Sequence, residues 1–281
     1  MPRDAITQAG YPDVLVSTLC DAVTRAPRNR RPPWVIGLSG LQGSGKSTLA
    51  AQLVRAAQAR GIVALAMSID DFYLGRDARR RLALSVHPLL ATRGVPGTHD
   101  IDLLLRTLAQ LRRATADRPA SVPRFDKGRD TRLPPSRWRR VTRKPALVIL
   151  EGWCIGVPAQ TPAQLRVPLN ELERREDADA RWRGWVNARL AGEYTQAWRQ
   201  LDRLVMLQAP GFDVVVHWRD EQEQALRRRN APHALSTAAL RRFLMHYERL
   251  SRQALKALPA LADIRVVLDA QRRVVRVIER R

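Results

Sequence analysis

Short apolar runs alternate with longer amphipathic segments along most of the chain. Runs of about four to eight apolar residues are too short for most helices and are typical of buried strands. Residues 274–278 predict an edge strand near the end of the chain. Such runs predict the main strands at residues 34–39, 62–69, 146–150, 204–207 and 264–268.

Apolar residues at helical spacing predict helices at residues 6–25, 46–60 and 101–113. Gly61 supplies a stop signal for the second of these helices, and Asp100 supplies an N-cap for the third. Strand, loop, helix and strand follow one another from the first strand onward. This order predicts a parallel sheet with crossover helices, because parallel neighbours need a long connection.

Polar sequence divides the chain into regions. Residues 26–33 are rich in Arg and Pro and indicate a linker, so residues 1–33 are predicted to form an N-terminal helix and linker. One domain is then expected over residues 34–281. The polar, Arg- and Trp-rich stretch at about 155–200 lies between the third and fourth strands and predicts a helical insertion.

The net charge of +22 has three interpretations. A basic surface for nucleic acid is one, and a positive cleft for anionic substrates is another. The third is a GC-rich genome, whose codons favour Arg and Ala, because only four of the 49 basic residues are Lys and Ala is abundant. Trp residues among the arginines could stack on bases, but cation–π packing and core anchoring are simpler roles, so we expect no nucleic-acid partner. These residues are Trp138, Trp182, Trp185 and Trp198.

Cysteine content and hydropathy favour a cytoplasmic protein. Cys20 and Cys154 lie far apart, near apolar stretches, and are expected to be buried reduced thiols. Residues 1–10 contain no apolar segment typical of a signal peptide. No run approaches the roughly 18 apolar residues that a membrane span needs, so no membrane partner is expected.

The strongest motif is GLQGSGKST at residues 40–48, which fits the phosphate-binding loop (P-loop) pattern G-x-x-x-x-G-K-[ST]. Glycines let backbone N–H groups turn toward phosphate oxygens, and the following helix adds its positive dipole end. Lys46 is predicted to reach the β- and γ-phosphates of ATP, and Ser47 to bind Mg²⁺. The predicted nucleotide-binding residues are Gly40, Gln42, Gly43, Ser44, Gly45, Lys46, Ser47 and Thr48.

Carboxylates follow two of the predicted strands, where ligands of parallel sheets bind. Asp70 and Asp71 end the second strand, and one of them could accept a proton from an attacking hydroxyl while the other holds Mg²⁺ through water. Glu151 ends the third strand and is predicted to be a catalytic ligand of Mg²⁺ or water. The alternatives are a helix-capping pair and a surface glutamate.

Six segments follow one another along the chain: the P-loop, DDFY at 70–73, GVPGTHD at 94–100, PRFDK at 123–127, EGW at 151–153 and PLN at 168–170. Together they resemble the D-glycerate 3-kinase family of the plant and fungal type, a group related to phosphoribulokinase, uridine kinase and bacterial pantothenate kinase. The P-loop is generic, whereas GVPGTHD and PRFDK discriminate more strongly. The resemblance covers residues 34–255.

The resemblance implies roles around a phosphate acceptor. It places Asp70 as the catalytic base, and Lys46 and Glu151 of the motifs above complete the predicted catalytic residues. Arg124 and Lys127 match a basic segment beside the acceptor, where they could bind a carboxylate or phosphate. The alternative for Arg124 and Lys127 is that they are solvated loop charges. The alternative for His99 is an ordinary polar residue without a substrate contact. The predicted substrate-binding residues are Asp71, Tyr73, His99, Arg124 and Lys127.

A lid is implied at about residues 219–235, because related kinases bring an arginine onto the transferred phosphoryl group. A solvated basic helix end is the alternative. Residues 214–218 predict a strand by their β-branched composition, whereas the resemblance implies a helix. The candidate lid arginines are Arg219, Arg227, Arg228 and Arg229.

These features predict an α/β P-loop NTPase fold, with a parallel sheet of about five strands flanked by helices, a helical insertion and a lid. The resemblance implies an ATP- and Mg²⁺-dependent kinase that phosphorylates the hydroxyl of a small acidic metabolite, with D-glycerate as the foremost substrate. Two alternatives stay open. One is a kinase for uridine, pantothenate or a sugar phosphate, and the other is a non-catalytic nucleotide- or nucleic-acid-binding protein.

Overall fold

A computed structural model describes residues 10–25, 32–228 and 235–280. Its strands fall into one large sheet and two short pairs. The strands of the large sheet are β1 (Trp34–Gly40), β2 (Ala64–Ser68), β7 (Leu147–Gly152), β8 (Arg203–Gln208), β9 (Ile264–Leu268) and β10 (Val274–Glu279). The short pairs join β3 (Ala120–Val122) to β6 (Arg139–Val141), and β4 (Phe125–Asp126) to β5 (Thr131–Arg132).

The large sheet has the order β10-β9-β8-β1-β7-β2. Five of its strands run parallel, and β10 pairs antiparallel with β9 at one edge. The predicted parallel sheet and the predicted edge strand are therefore confirmed, with strand ends shifted by at most two residues. Every residue of β7 is buried, because helices cover both faces of the sheet, and this explains its uninterrupted apolar run.

The helices include two that were predicted closely. α2 (Lys46–Ala59) begins at Lys46, and Gly61 follows it with a φ of +76°. Asp100 caps α4 (Ile101–Leu111), since its carboxylate accepts the Leu103 N–H at 2.9 Å. The helices are α1 (Asp13–Thr24), α2 (Lys46–Ala59), α3 (Arg76–Ser85), α4 (Ile101–Leu111), α5 (Pro162–Leu165), α6 (Glu171–Glu176), α7 (Arg181–Arg189), α8 (Thr195–Trp198), α9 (Asp213–Arg228) and α10 (Thr237–Leu261).

Some predicted segments lie partly outside the described residues. The predicted first helix, 6–25, is represented by α1, and residues 6–9 are not described. The same holds for most of the predicted linker, at 26–31, and for residues 229–234 of the predicted lid.

The strand predicted from composition at residues 214–218 is wrong, because these residues belong to α9. Val215 and Trp218, three positions apart, are buried on one face of that helix. The packing of this face overrides β-propensity, which reports the fit of a side chain to a pleated surface rather than a backbone preference. The helix implied by the family resemblance is therefore confirmed.

The region between β7 and β8 contains four helices and one π-helix, Leu190–Tyr194. A buried ion pair ties it to the rest of the chain, since Arg249 in α10 contacts Glu173 in α6 at 2.6 Å. Trp182 is buried in the core, and Arg189 lies 4.8 Å above the Trp185 ring. These tryptophans pack within the protein, as the cation–π and core interpretation predicted.

Two further expectations can be compared with the structure. Cys20 and Cys154 are both buried and free. Within the described ranges, no helix combines the length and hydrophobicity of a transmembrane span.

Candidate active site

Three parallel strands bring the predicted site residues together at the carboxyl ends of the strands. The register places Leu38 of β1 and Ser68 of β2 on either side of Glu151 in β7. The P-loop continues from β1, and a 3₁₀-helix, Ile69–Phe72, continues from β2 with Asp70 and Asp71 in it. The loop and the carboxylates therefore meet where ligands of parallel sheets bind.

The P-loop is held by close backbone packing. Gly43 and Gly45 have φ angles of +81° and +85°, a region that glycine enters without strain. A Cβ at Gly43 would lie 2.6 Å from the Cβ of Trp218, so α9 packs directly on the loop. On another side, the Tyr11 hydroxyl donates to the Ser44 carbonyl at 2.7 Å.

Two P-loop side chains have buried polar groups with no protein partner in the described part of the chain. They are the amide of Gln42 and the hydroxyl of Ser44. Buried polar groups normally find a partner, so these groups are available to a ligand or water. The side chain of Thr48, by contrast, is exposed.

Ser47 and Glu151 are the residues that could hold a cation. The Ser47 hydroxyl donates to Oε1 of Glu151 at 2.8 Å, and Oε2 of Glu151 is buried without a partner among the described residues. An orphaned buried carboxylate oxygen is costly, and a hydrated cation beside it would relieve that cost. No cluster of three or more Asp, Glu, His or Cys in the described ranges could hold a metal ion. A hydroxyl and one carboxylate beside the P-loop fit Mg²⁺, which uses one or two carboxylates together with phosphates and water.

The strands β4 and β5 form a hairpin, and Asp70 is paired with a lysine in its turn. Nζ of Lys127 donates to Oδ2 of Asp70 at 2.6 Å, with 61% of the Lys127 side chain and 24% of the Asp70 side chain exposed. Burial alone would raise the pKa of Asp70, but Lys127, Lys46 and the Tyr73 hydroxyl favour the ionised form more strongly, and the pKa is lowered. Asp70 is therefore ionised and close to both lysines.

Asp71 faces the hairpin rather than the P-loop. Its Oδ1 accepts the backbone N–H of Phe125 in β4 at 3.2 Å. Burial raises the pKa of Asp71, and this hydrogen bond opposes the shift. Asp71 thus anchors the hairpin that carries Lys127, while its predicted contact with substrate stays a prediction.

Tyr73 and His99 form a buried aromatic stack. Their ring centroids are 4.6 Å apart, and a β-bridge joins their backbones. Nδ1 of His99 is hydrogen-bonded to Oη of Tyr194 at 2.6 Å, and Nε2 is buried without a partner among the described residues. Burial lowers the pKa of His99 to about 4, so the ring is neutral at physiological pH.

Several residues that sequence reasoning missed support this site. Tyr194 belongs to the π-helix, and its hydroxyl also accepts the Gly97 N–H at 2.9 Å. Arg79 and Arg93 both bind Asp130, at the end of the hairpin turn. No local sequence signal connects these partners, since each pair is far apart in the chain.

The remaining predicted residues are Arg124 and the four candidate lid arginines. The Arg124 side chain is exposed at the start of the hairpin. Arg219 pairs with Glu223, one turn further along α9, at 2.7 Å. The backbones of Arg227 and Arg228 continue α9, whereas their side chains and Arg229 lie outside the described residues. The proposed arginine contact with the transferred phosphate therefore stays a prediction.

A P-loop after the first strand of a parallel sheet, with carboxylates at the ends of the two strands beside it, is the architecture of the P-loop kinases. The chain is a kinase of this class. A D-glycerate 3-kinase from Cryptococcus neoformans has the same fold, with a TM-score of 0.75 and 24% identity over 99% of this chain and 100% of that one. No protein-family model matches the chain.

Sequence relatives define the family. An uncharacterized kinase from Schizosaccharomyces pombe is 31% identical over 248 residues, which is 84% of this chain and 86% of the relative. The chloroplastic D-glycerate 3-kinase of Arabidopsis thaliana is 32% identical over 210 residues, or 70% of this chain and 42% of the plant protein. The chain belongs to the D-glycerate 3-kinase family of P-loop kinases.

Proposed function

We propose that this enzyme transfers the γ-phosphoryl group of ATP to the hydroxyl of a small carboxylic acid, foremost D-glycerate, giving 3-phosphoglycerate. One observation carries the proposal: Asp70, at the end of β2 beside the P-loop, lies 2.6 Å from Lys127. A carboxylate for the hydroxyl proton and a cation for the substrate carboxylate are thus adjacent. The similarity to the plant enzyme named D-glycerate 3-kinase supports the choice of acid.

Each predicted residue has a place in this reaction. Lys46 and the backbone N–H groups of the P-loop would bind the phosphates of ATP. Asp70 would take the proton of the acceptor hydroxyl, and Lys127 with the exposed Arg124 would bind the acid. Tyr73 and His99 would form the wall of the acceptor pocket.

Ser47 and Glu151 would hold Mg²⁺, consistent with the unpartnered oxygen of Glu151. Bound there, the ion would neutralise charge that develops on the phosphates during transfer. We further propose that residues 219–235 act as the lid and residues 155–200 as the helical insertion of one kinase domain at 34–281. The two buried free thiols favour the cytoplasm as the location.

The test is ADP release from ATP and Mg²⁺ with D-glycerate, pantothenate, uridine and ribulose 5-phosphate as separate acceptors. We expect turnover with D-glycerate and its loss in Asp70→Asn, since an amide cannot accept the proton. Lys144→Met is a control, because Lys144 is exposed and lies before the amino end of β7, whereas the predicted site lies at the carboxyl end. Turnover with uridine but not with D-glycerate would contradict the proposed substrate.

A further inference from the structure

The proposed base is not free to act in the conformation described. Oδ2 of Asp70 accepts a charged hydrogen bond from Lys127 at 2.6 Å. A carboxylate in an ion pair is a poor proton acceptor, because protonation would discard the attraction to the cation. An acceptor hydroxyl therefore meets a base whose Oδ2 is already occupied.

The Lys127 side chain can move while the backbone of the hairpin stays in place. The backbone of the hairpin is fixed, since Phe125 donates to Asp71, and Asp126 accepts the N–H groups of Gly128 and Arg129 at 3.0 Å each. The Lys127 side chain is by contrast 61% exposed and carries its ammonium on a flexible chain of four carbons. Because the lysine end of the pair lies at the surface, its ammonium can exchange Asp70 for another carboxylate without a change in the backbone.

We propose that Lys127 blocks Asp70 until a carboxylate of the acceptor takes the lysine as its own partner. This inference rests on the proposed function and deepens it, because it makes the acid group of the substrate a requirement for base catalysis as well as for binding. Without an acid, the paired Asp70 does not activate water, and ATP is spared from hydrolysis.

The inference assigns a latent activity to the enzyme, which is ATP hydrolysis stimulated by a short carboxylic acid that lacks a hydroxyl. The acid pairs with Lys127, and a water molecule occupies the place of the acceptor hydroxyl. The water oxygen bonds to the γ-phosphorus, and the bond from that phosphorus to the β–γ bridging oxygen breaks. ADP leaves with the electron pair, and the water proton passes to Oδ2 of Asp70, which later returns it to solvent. The products are ADP and inorganic phosphate.

The experiment measures ADP release from ATP and Mg²⁺ without a phosphate acceptor. In the wild type we expect propanoate to raise the rate severalfold and saturably, whereas propanamide, its neutral isostere, leaves the rate unchanged. In Lys127→Met we expect the rate without propanoate to rise about tenfold, a modest part of what a general base contributes, and to be insensitive to propanoate. Lys144→Met makes the same substitution at an exposed site and should behave as the wild type.

The outcomes separate this inference from the proposed function. If the wild type phosphorylates D-glycerate but neither propanoate nor Lys127→Met changes acceptor-free hydrolysis, the block by Lys127 is refuted and the kinase assignment stands. If D-glycerate is not phosphorylated but both effects occur, the block is supported and the substrate is a different acid. Thermal unfolding of Lys127→Met confirms that the variant is folded, as expected for a change at a mostly exposed side chain.

Discussion

Asp70 and Asp71 are adjacent in the sequence but have opposite electrostatic surroundings. Lys127 and Lys46 lower the pKa of Asp70, whereas burial raises the pKa of Asp71. The 3₁₀-helix makes this possible, because it presents the Asp70 carboxylate to the Lys127 ammonium and the Asp71 carboxylate to the Phe125 N–H of β4. The position of the pair at the end of a strand predicts that it is functional, but only the family resemblance indicated which of the two carboxylates is the proposed base.

His99 gives a prediction for stability as a function of pH. Its pKa is about 4 in the folded protein and 6.5 as the ordinary value, so the unfolded chain binds the proton more readily. The contribution of the neutral His99 to the free energy of unfolding is therefore complete above pH 6.5 and is lost as the pH falls toward 4. Between pH 7 and pH 5 we expect the wild type to lose about 2 kcal/mol more than His99→Gln. Urea unfolding at both pH values measures this difference, and equal losses in the two proteins would contradict it.

At the scale of elements, the P-loop is shaped by parts of the chain far from it. Trp218 of α9 fills the space beside Gly43, and Tyr11, just before α1, binds the Ser44 carbonyl. Tyr11 and Gln52 of α2 also exchange two hydrogen bonds, of 2.9 and 2.8 Å. The segment predicted as an N-terminal helix and linker thus contacts the P-loop and the helix that follows it.

Gly43→Ala tests the packing of α9 on the P-loop. The added Cβ would lie 2.6 Å from Trp218, so the loop or the helix must shift, and we expect the KM for ATP to rise about tenfold, or about 1.4 kcal/mol. Gly61→Ala is the matched control, because Gly61 also has a positive φ but has nothing within 4 Å of its Cβ position. It should lose about 1 kcal/mol of stability and keep its KM. Equal KM values for the two variants would refute the role of this contact.

Two ion pairs between α6 and α10 allow a comparison of burial. Arg249 and Glu173 are buried, whereas Arg242 and Glu176 are exposed on the same two helices. Glu173→Gln leaves a buried guanidinium uncompensated and should destabilise the protein by about 3 kcal/mol. Glu176→Gln should cost about 0.5 kcal/mol or less. Urea unfolding measures both changes, and a similar loss for the two variants would show that Glu173 is better solvated than its burial indicates.

Long buried elements were predictable, and short or irregular ones were not. β1 and β7 are buried almost throughout, so their apolar runs identified them. The strands β4 and β5 have two residues each, too few for a hydrophobic period to be visible. The π-helix that carries Tyr194 spans five residues, about one turn, which is too short for its own period to be visible in the sequence.

At the scale of the whole molecule, nucleotide binding should be visible as stability. A ligand that binds only the folded state stabilises it, by about 2.7 kcal/mol at 100 times its Kd. We expect ATP with Mg²⁺ to raise the unfolding temperature of the wild type and to have little effect on Lys46→Ala, which lacks the phosphate-binding ammonium. An equal rise in both proteins would refute phosphate binding by Lys46.

The order of motifs along the chain was enough to predict the fold and the end of the sheet where the predicted site residues meet. It was not enough to predict which side chains meet. Asp70 contacts Lys127 across 57 residues, and Tyr11 contacts Ser44 across 33. Such pairs depend on the packing of whole elements, which local periodicity does not encode.

The order of strands also has a consequence for how the protein is made. β1 lies at the middle of the sheet, but its neighbours, β7 and β8, are synthesised more than a hundred residues later. While the ribosome adds the intervening chain, the apolar first strand has no hydrogen-bonding partner on either side, and such unpaired edges attract other chains. Folding of this sheet should therefore be slow for its size, as for other chains dominated by non-local contacts, and nascent chains that end before β8 should depend on chaperones.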